Sequence, residues 1–119
     1  MADKNSNQQG RISPNSIESE EAVLGCMLIN NSAVSKAIDA LEARSFYSNP
    51  NSIIFTNIVE LFNENATIDY ISLIDKLKKN KKIDIVGGAY YITGLSTKAP
   101  SAENIDYYIQ IVKEKAILR

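Results

Sequence analysis

The side chains able to do chemistry are few, and their spacing points away from an active site. No histidine occurs among the 119 residues, which removes Ser-His-Asp and Cys-His relays and the common zinc-hydrolase sites. A single cysteine, Cys26, excludes a disulfide within the chain, and no zinc-ligand spacing is present. Cys26 lies in the apolar run 22–29 with no cationic neighbour in sequence, the setting of a small buried hydrophobe rather than a reactive thiol. Gly87-Gly88 is the densest glycine feature, but no Gly-Lys-Ser/Thr follows it, so there is no phosphate-cradling loop. Acidic residues are scattered over expected outer faces, and Glu20 and Glu21 are adjacent rather than opposed across a cleft. Without a nucleophile, base and orienter set, the expectation is a non-enzymatic chain with no catalytic, cofactor or metal site.

Charge leads in the same direction. Thirteen Lys+Arg stand against fourteen Asp+Glu, a formal charge of −1, without the basic excess of a dedicated nucleic-acid binder. The arginines are Arg11, Arg44 and Arg119, too few to read guanine or clamp phosphates widely. The one basic concentration is Lys76, Lys78, Lys79, Lys81 and Lys82. It reads first as a solvated helix end that complements the helix dipole. The alternative function is a small helical DNA-binding domain using this basic end, although no interleaved aromatic platform accompanies it. At most weak binding of single-stranded DNA is expected. No apolar run approaches the roughly 20 residues of a membrane span, and residues 1–10 lack a signal peptide's apolar core. A cytoplasmic protein without a membrane partner is the default.

The elements that must position any site read as helices throughout. Residues 1–14 are polar and aperiodic, a disordered arm, and residues 15–119 form one globular domain. After Pro14, Asn15 or Ser16 caps a first helix, with Asn15 and Glu18 in the spacing of a capping box. Ile17, Leu24 and Leu28 give its best stripe, but 22–29 is apolar almost all round, so this is the central buried helix. Asn30-Asn31-Ser32 breaks it and caps a second helix carrying Val34, Ala37, Ile38 and Leu41. Residues 45–48 form a turn with Phe46 and Tyr47 tucked inward. Asn49 and Pro50 read as cap and first residue of a third helix, with Ile54, Phe55, Ile58, Val59, Leu61 and Phe62 inward and Thr56, Asn57 and Glu60 opposite. A loop at 63–67 follows. Asp69 caps the fourth helix, Ile68 is placed to staple onto Leu73, and Tyr70, Leu73, Ile74 and Leu77 face inward. Residues 83–86 suggest a short extended link. The short joints favour a compact all-α bundle of about six helices.

The fifth and sixth helices organise the rest. Gly87-Gly88 opens a short helix with Tyr91, Ile92 and Leu95 on one face. Pro100 blocks helical geometry at Ala99 and Ser101 caps a final helix from about Ala102. At 100° per residue, Ile105, Tyr108, Ile109, Val112 and Ala116 form its core stripe, while Tyr107, Ile111 and Leu118 form a second apolar line. That line either wedges between parts of this domain or meets another subunit. No Gly, Asn or Pro ends the helix before Arg119, so a longer protein is expected.

In order and spacing, Asn15-Ser16-Ile17-Glu18-Ser19-Glu20-Glu21-Ala22-Val23-Leu24-Gly25, Ser45-Phe46-Tyr47, Ile54-Phe55, Ile68-Asp69, Gly87-Gly88-Ala89-Tyr90-Tyr91 and Pro100-Ser101-Ala102-Glu103-Asn104 through Tyr108, Val112 and Arg119 resemble the N-terminal domain of bacterial DnaB-type replicative helicases. The resemblance covers nearly everything after the arm. It departs at Asn51, near the place where the family often has histidine, which puts local hydrogen bonds copied from relatives in doubt. It implies that this chain is a helical head leading into a helical hairpin or linker and then an ATPase motor using ATP and Mg, with hairpin, linker and motor absent from this chain. It implies N-terminal domains that pair and form the collar of a hexamer, and leaves a dimer of the isolated domain open. It also implies docking of the helicase-binding domain of primase, and leaves a helicase loader open. Glu18 matches a first-helix glutamate, and Tyr91 a tyrosine after the glycine pair, that the family associates with primase coupling. Locally, Glu18 equally suits a helix cap and Tyr91 the edge of the core.

Overall fold

The computed structural model describes residues 15–98 and 102–119. The expected arm at 1–14, the helix block at Ala99 and the cap at Ser101 lie outside the described residues. Six α-helices follow one another: α1 Ile17–Ile29, α2 Asn31–Ala40, α3 Asn49–Asn63, α4 Tyr70–Lys79, α5 Gly88–Leu95 and α6 Ile105–Leu118, with 3-10 turns at Ala43–Ser45 and Ala102–Asn104. No strand occurs among the described residues.

Helix α1 packs against α2, α3, α5 and α6. An amphipathic stripe would leave most of those contacts unfilled, which is why its apolar residues run all round the helix. Val23, Leu24, Cys26 and Met27 have no exposed surface. Removing one such side chain, as in Leu24→Ala, would cost about 2–5 kcal/mol in lost burial and residual cavity. Its cap is Ser16, whose Oγ accepts the Ser19 amide at 3.2 Å, so Asn15 and Glu18 do not form the expected capping box. Asn30 serves two helices at once. Its N–H closes α1 on the Cys26 carbonyl at 3.0 Å, and its Oδ1 opens α2 by accepting the Ser32 amide at 2.8 Å.

Five other expectations shift by a residue or a face. The cap of α3 is Ser48, with Asn49 and Pro50 already helical. Phe46 is buried against Phe55, with ring centroids 5.0 Å apart, whereas Tyr47 stays half exposed. Phe62 and Tyr70 lie at the surface and Asn57 is buried. Asn57 tolerates burial because its Nδ2 donates to the Ile53 carbonyl at 2.8 Å and its Oδ1 accepts from Asn80 at 2.7 Å. A polar residue that finds both partners locally loses little by leaving water, and periodicity cannot register this.

Helix α4 begins at Asp69 with a reciprocal box: Asp69 Oδ1 accepts the Ser72 amide at 2.8 Å and Ser72 Oγ accepts the Asp69 amide at 3.0 Å. Ile68 joins the same apolar core as Leu73. The helix closes with the Lys82 amide on the Leu77 carbonyl at 2.8 Å, which drives Lys81 to φ 59°. The 83–86 link is turned, not extended: the Gly88 amide returns to the Ile83 carbonyl at 2.8 Å and the Gly87 amide to Asp84 at 3.1 Å. That turn sinks Val86 into the core and leaves Ile85 outside.

The final helix starts at Ile105, three residues after the expected point, because 102–104 form a 3-10 turn. Ile105, Ile109 and Val112 are buried. On the second apolar line Tyr107 and Leu118 are each 66% exposed, and Ile111 is half-buried. Tyr107 and Leu118 are therefore not wedged inside this chain.

Candidate functional site

Tyr91 owes its position to the glycine pair. Gly87 and Gly88 adopt φ of 105° and 80°, a region that L side chains avoid. A Cβ on Gly87 would also stand 3.2 Å from the Tyr91 Cβ. Helix α5 is then pinned by Ile92 and Leu95, both fully buried. Tyr91, one residue before Ile92, falls at the core edge, half-buried.

Its hydroxyl lies 2.6 Å from Asn51 Oδ1 and 3.1 Å from Glu21 Oε2. Asn51 is fully buried, and its Nδ2 donates to Glu20 Oε1 at 3.1 Å. Glu20 is 1% exposed and accepts two further donors, the Tyr47 amide at 2.7 Å and the Ser48 amide at 3.3 Å. A buried carboxylate is costly unless its oxygens are occupied. Here three donors reach it, and the start of α3 adds the positive end of a helix dipole. Glu20 therefore does not sit on an outer face, where the acidic residues were expected. Glu21 in turn receives Lys98 Nζ at 3.5 Å. One cluster thus fastens α1, α3 and α5 together.

Burial, and then the negative charge of Glu21, push the Tyr91 hydroxyl well above its ordinary value of 10.0. Such a phenol stays protonated and serves as a hydrogen-bond donor, not as a base or nucleophile. Cys26 is fully buried, and burial likewise raises its thiol, which suits packing rather than reactivity.

Glu18 is exposed on the first turn of α1, one turn before Glu21 and so on the same side of the helix. It has no ion pair among the described residues. The structure does not bond Glu18 to Tyr91; it connects their helices through Glu21. Glu20, Glu21 and Asn51 went unrecognised as site residues. The available signal was weak: an acid pair entering an apolar run, and an asparagine in the first turn of α3.

At the basic end, Lys76 is engaged by Glu60 at 3.4 Å and by Glu64. The hydrogen bond that Lys76 donates to Glu64, ahead of the opposing desolvation, raises its pKa. Lys79 pairs with Asp75 at 3.2 Å. Two of the lysines on which a phosphate track would draw are already neutralised locally.

Comparison with known proteins agrees with this architecture. The profile of the DnaB-like helicase N terminal domain family matches residues 12–114. The chain is 40% identical over 111 residues to "Replicative DNA helicase DnaB" of Treponema pallidum, covering 93% of this chain and 25% of that protein. It is 35% identical over 112 residues to the protein of the same name from Rhodothermus marinus, covering 94% of this chain and 12% of that one. The crystal structure of the N-terminal domain of DnaB helicase from Mycobacterium tuberculosis superposes with a TM-score of 0.88 at 30% identity, covering 91% of this chain and 75% of that one. The chain spans a quarter or less of the length of these two curated relatives.

Proposed function

Because the chain belongs to the DnaB-like helicase N-terminal domain family, we propose that it is the non-catalytic assembly and docking head of a replicative DNA helicase. It contributes to the collar of a hexamer and receives the helicase-binding domain of primase, with a helicase loader as a further candidate partner. ATP and Mg belong to a motor outside this chain. The observation that carries the docking reading is the face made by α1 and α5. There Glu18 stands exposed on the first turn of α1, and the half-buried Tyr91 is set by Glu21, Asn51 and Gly87 where α1, α3 and α5 meet. A pre-organised face lowers the ordering cost of docking. Tyrosine suits such a surface because it offers an apolar ring with a polar tip. Self-association is assigned to Tyr107, Ile111 and Leu118, an apolar line on which Tyr107 and Leu118 are largely exposed and Ile111 is half-buried.

A calorimetric titration of this chain with the helicase-binding domain of primase from the same organism tests the reading. Saturable binding weakened at least fivefold by Glu18→Ala supports it; no heat at millimolar partner refutes it. DNA binding through the lysine-rich end of α4 is the second reading. The pairing of Lys76 and Lys79 with carboxylates weighs against it. It would show itself as an affinity for single-stranded DNA that falls steeply with added salt.

A further inference from the structure

The end of α6 and the middle of α5 are joined through the backbone of the 44–47 loop, with hydrogen bonds on either side of it and one buried carboxylate between loop and α5. Arg119, which caps α6, donates through Nη2 to the carbonyls of Ser45 at 2.9 Å and Arg44 at 3.4 Å, and its guanidinium lies 5.6 Å from the centre of the Tyr47 ring. The Tyr47 amide makes the shortest bond to Glu20, 2.7 Å, and Glu20 Oε1 receives Asn51, whose other amide atom receives Tyr91. Direction is forced along this path. Carboxylate oxygens accept, so Asn51 turns its NH2 to Glu20 and its Oδ1 to Tyr91.

Tyr91 has one hydroxyl hydrogen and two acceptors, Asn51 Oδ1 at 2.6 Å and Glu21 Oε2 at 3.1 Å. That rotor has two discrete settings, the bistable element that coupling between sites requires. We propose that Glu20 and Asn51 relay the seating of Arg119 on the 44–47 loop to the Tyr91 hydroxyl. With Arg119 seated, the loop amides hold the Glu20 carboxylate, Asn51 is oriented, and Tyr91 donates to Asn51. With Arg119 released, the loop takes the carboxylate with it, Asn51 loses the acceptor that fixes its amide, and the Tyr91 hydroxyl turns to Glu21. Helix α5 is then fastened to α1 without its tie to α3. This coupling goes beyond the docking reading and does not rest on it.

A double-mutant cycle on the whole chain tests the relay, with urea unfolding of wild type, Arg119→Ala, Tyr91→Phe and the double variant. Residues without shared partners are additive, whereas members of one network are not. The relay predicts non-additivity of about two- to tenfold in the unfolding equilibrium constant. The same cycle with Tyr90→Phe, a 91% exposed neighbour on α5, is predicted to be additive. Additivity in both cycles, or equal coupling in both, overturns the proposal. An Asn51→Ala background should abolish the Arg119–Tyr91 coupling; should that variant fail to fold, the two cycles decide alone. In carbon NMR, Arg119→Ala should shift the Tyr91 ring carbon that bears the hydroxyl and leave that of Tyr90 in place. An unmoved Tyr91 resonance also overturns the relay.

Discussion

Replacing Tyr91 by phenylalanine removes one oxygen and leaves the ring that packs beside Gly87. The hydroxyl donates at 2.6 Å to Asn51, which is fully buried, so the variant strands the Asn51 Oδ1 lone pairs away from water. Leaving a buried acceptor unpaired costs about 1–3 kcal/mol. Glu21 loses little, because Lys98 remains 3.5 Å from its other oxygen. We therefore expect Tyr91→Phe to destabilise the domain by about 1–2 kcal/mol, a melting shift of roughly 5–10 °C for a domain of about 100 residues. Thermal and urea melts followed by circular dichroism measure it, with the urea slope unchanged.

The pH dependence of that difference carries a definite sign. The folded-state pKa of Tyr91 is raised above its ordinary 10.0, so above that pH the unfolded chain releases a proton that the folded chain keeps. Fewer protons bound in the unfolded state means stability falls as pH rises. The stabilising effect of the hydroxyl is therefore complete below pH 10 and diminishes above it, by about 1.4 kcal/mol per pH unit relative to the phenylalanine variant. A melting temperature unchanged within about 1 °C, or a difference that grows above pH 10, would refute the reasoning.

Glu20→Ala strands three donors, the Tyr47 and Ser48 amides and the Asn51 side chain, and is expected to cost at least about 3 kcal/mol, read by urea melts. Lys81→Gly relieves a left-handed residue at φ 59° and should raise stability by about 0.5–1 kcal/mol, the strain relief exceeding the added unfolded-chain entropy. Ile111→Lys, at a half-buried site beside the exposed Tyr107 and Leu118, should keep its helical signal and lose self-association in light scattering across a concentration series. A folded variant that associates as before would defeat the interface assignment.

The helices were legible because their signals are local. Asp69 sits directly before an apolar stripe, Gly87-Gly88 admits the turn conformations that other residues avoid, and 22–29 is apolar on every side, so each position announces its element from neighbouring residues alone. A single-residue shift, Ser48 for Asn49, and the choice of Ser16 over Asn15 arose where two capping residues stand together. The Tyr91 cluster was only half legible. Tyr91 and Glu18 came from the order of family motifs, whereas Glu20 and Asn51 lie 31 positions apart and meet only because α1 and α3 pack. Burial of a carboxylate cannot be read from a sequence in which it stands beside an identical residue. Exposure of Phe62 and Tyr70 was hidden for the opposite reason, since periodicity names a face without saying whether anything covers it.

The central claim is that the face of α1 and α5, not the basic end of α4, meets the partner. Backbone amide chemical-shift mapping during titration with the helicase-binding domain of primase tests it most directly. The account predicts perturbations concentrated at Glu18, Glu21 and residues 88–95, diminished in Tyr91→Ala. Perturbations centred on Lys78, Lys81 and Lys82, with α1 and α5 unmoved, would contradict it.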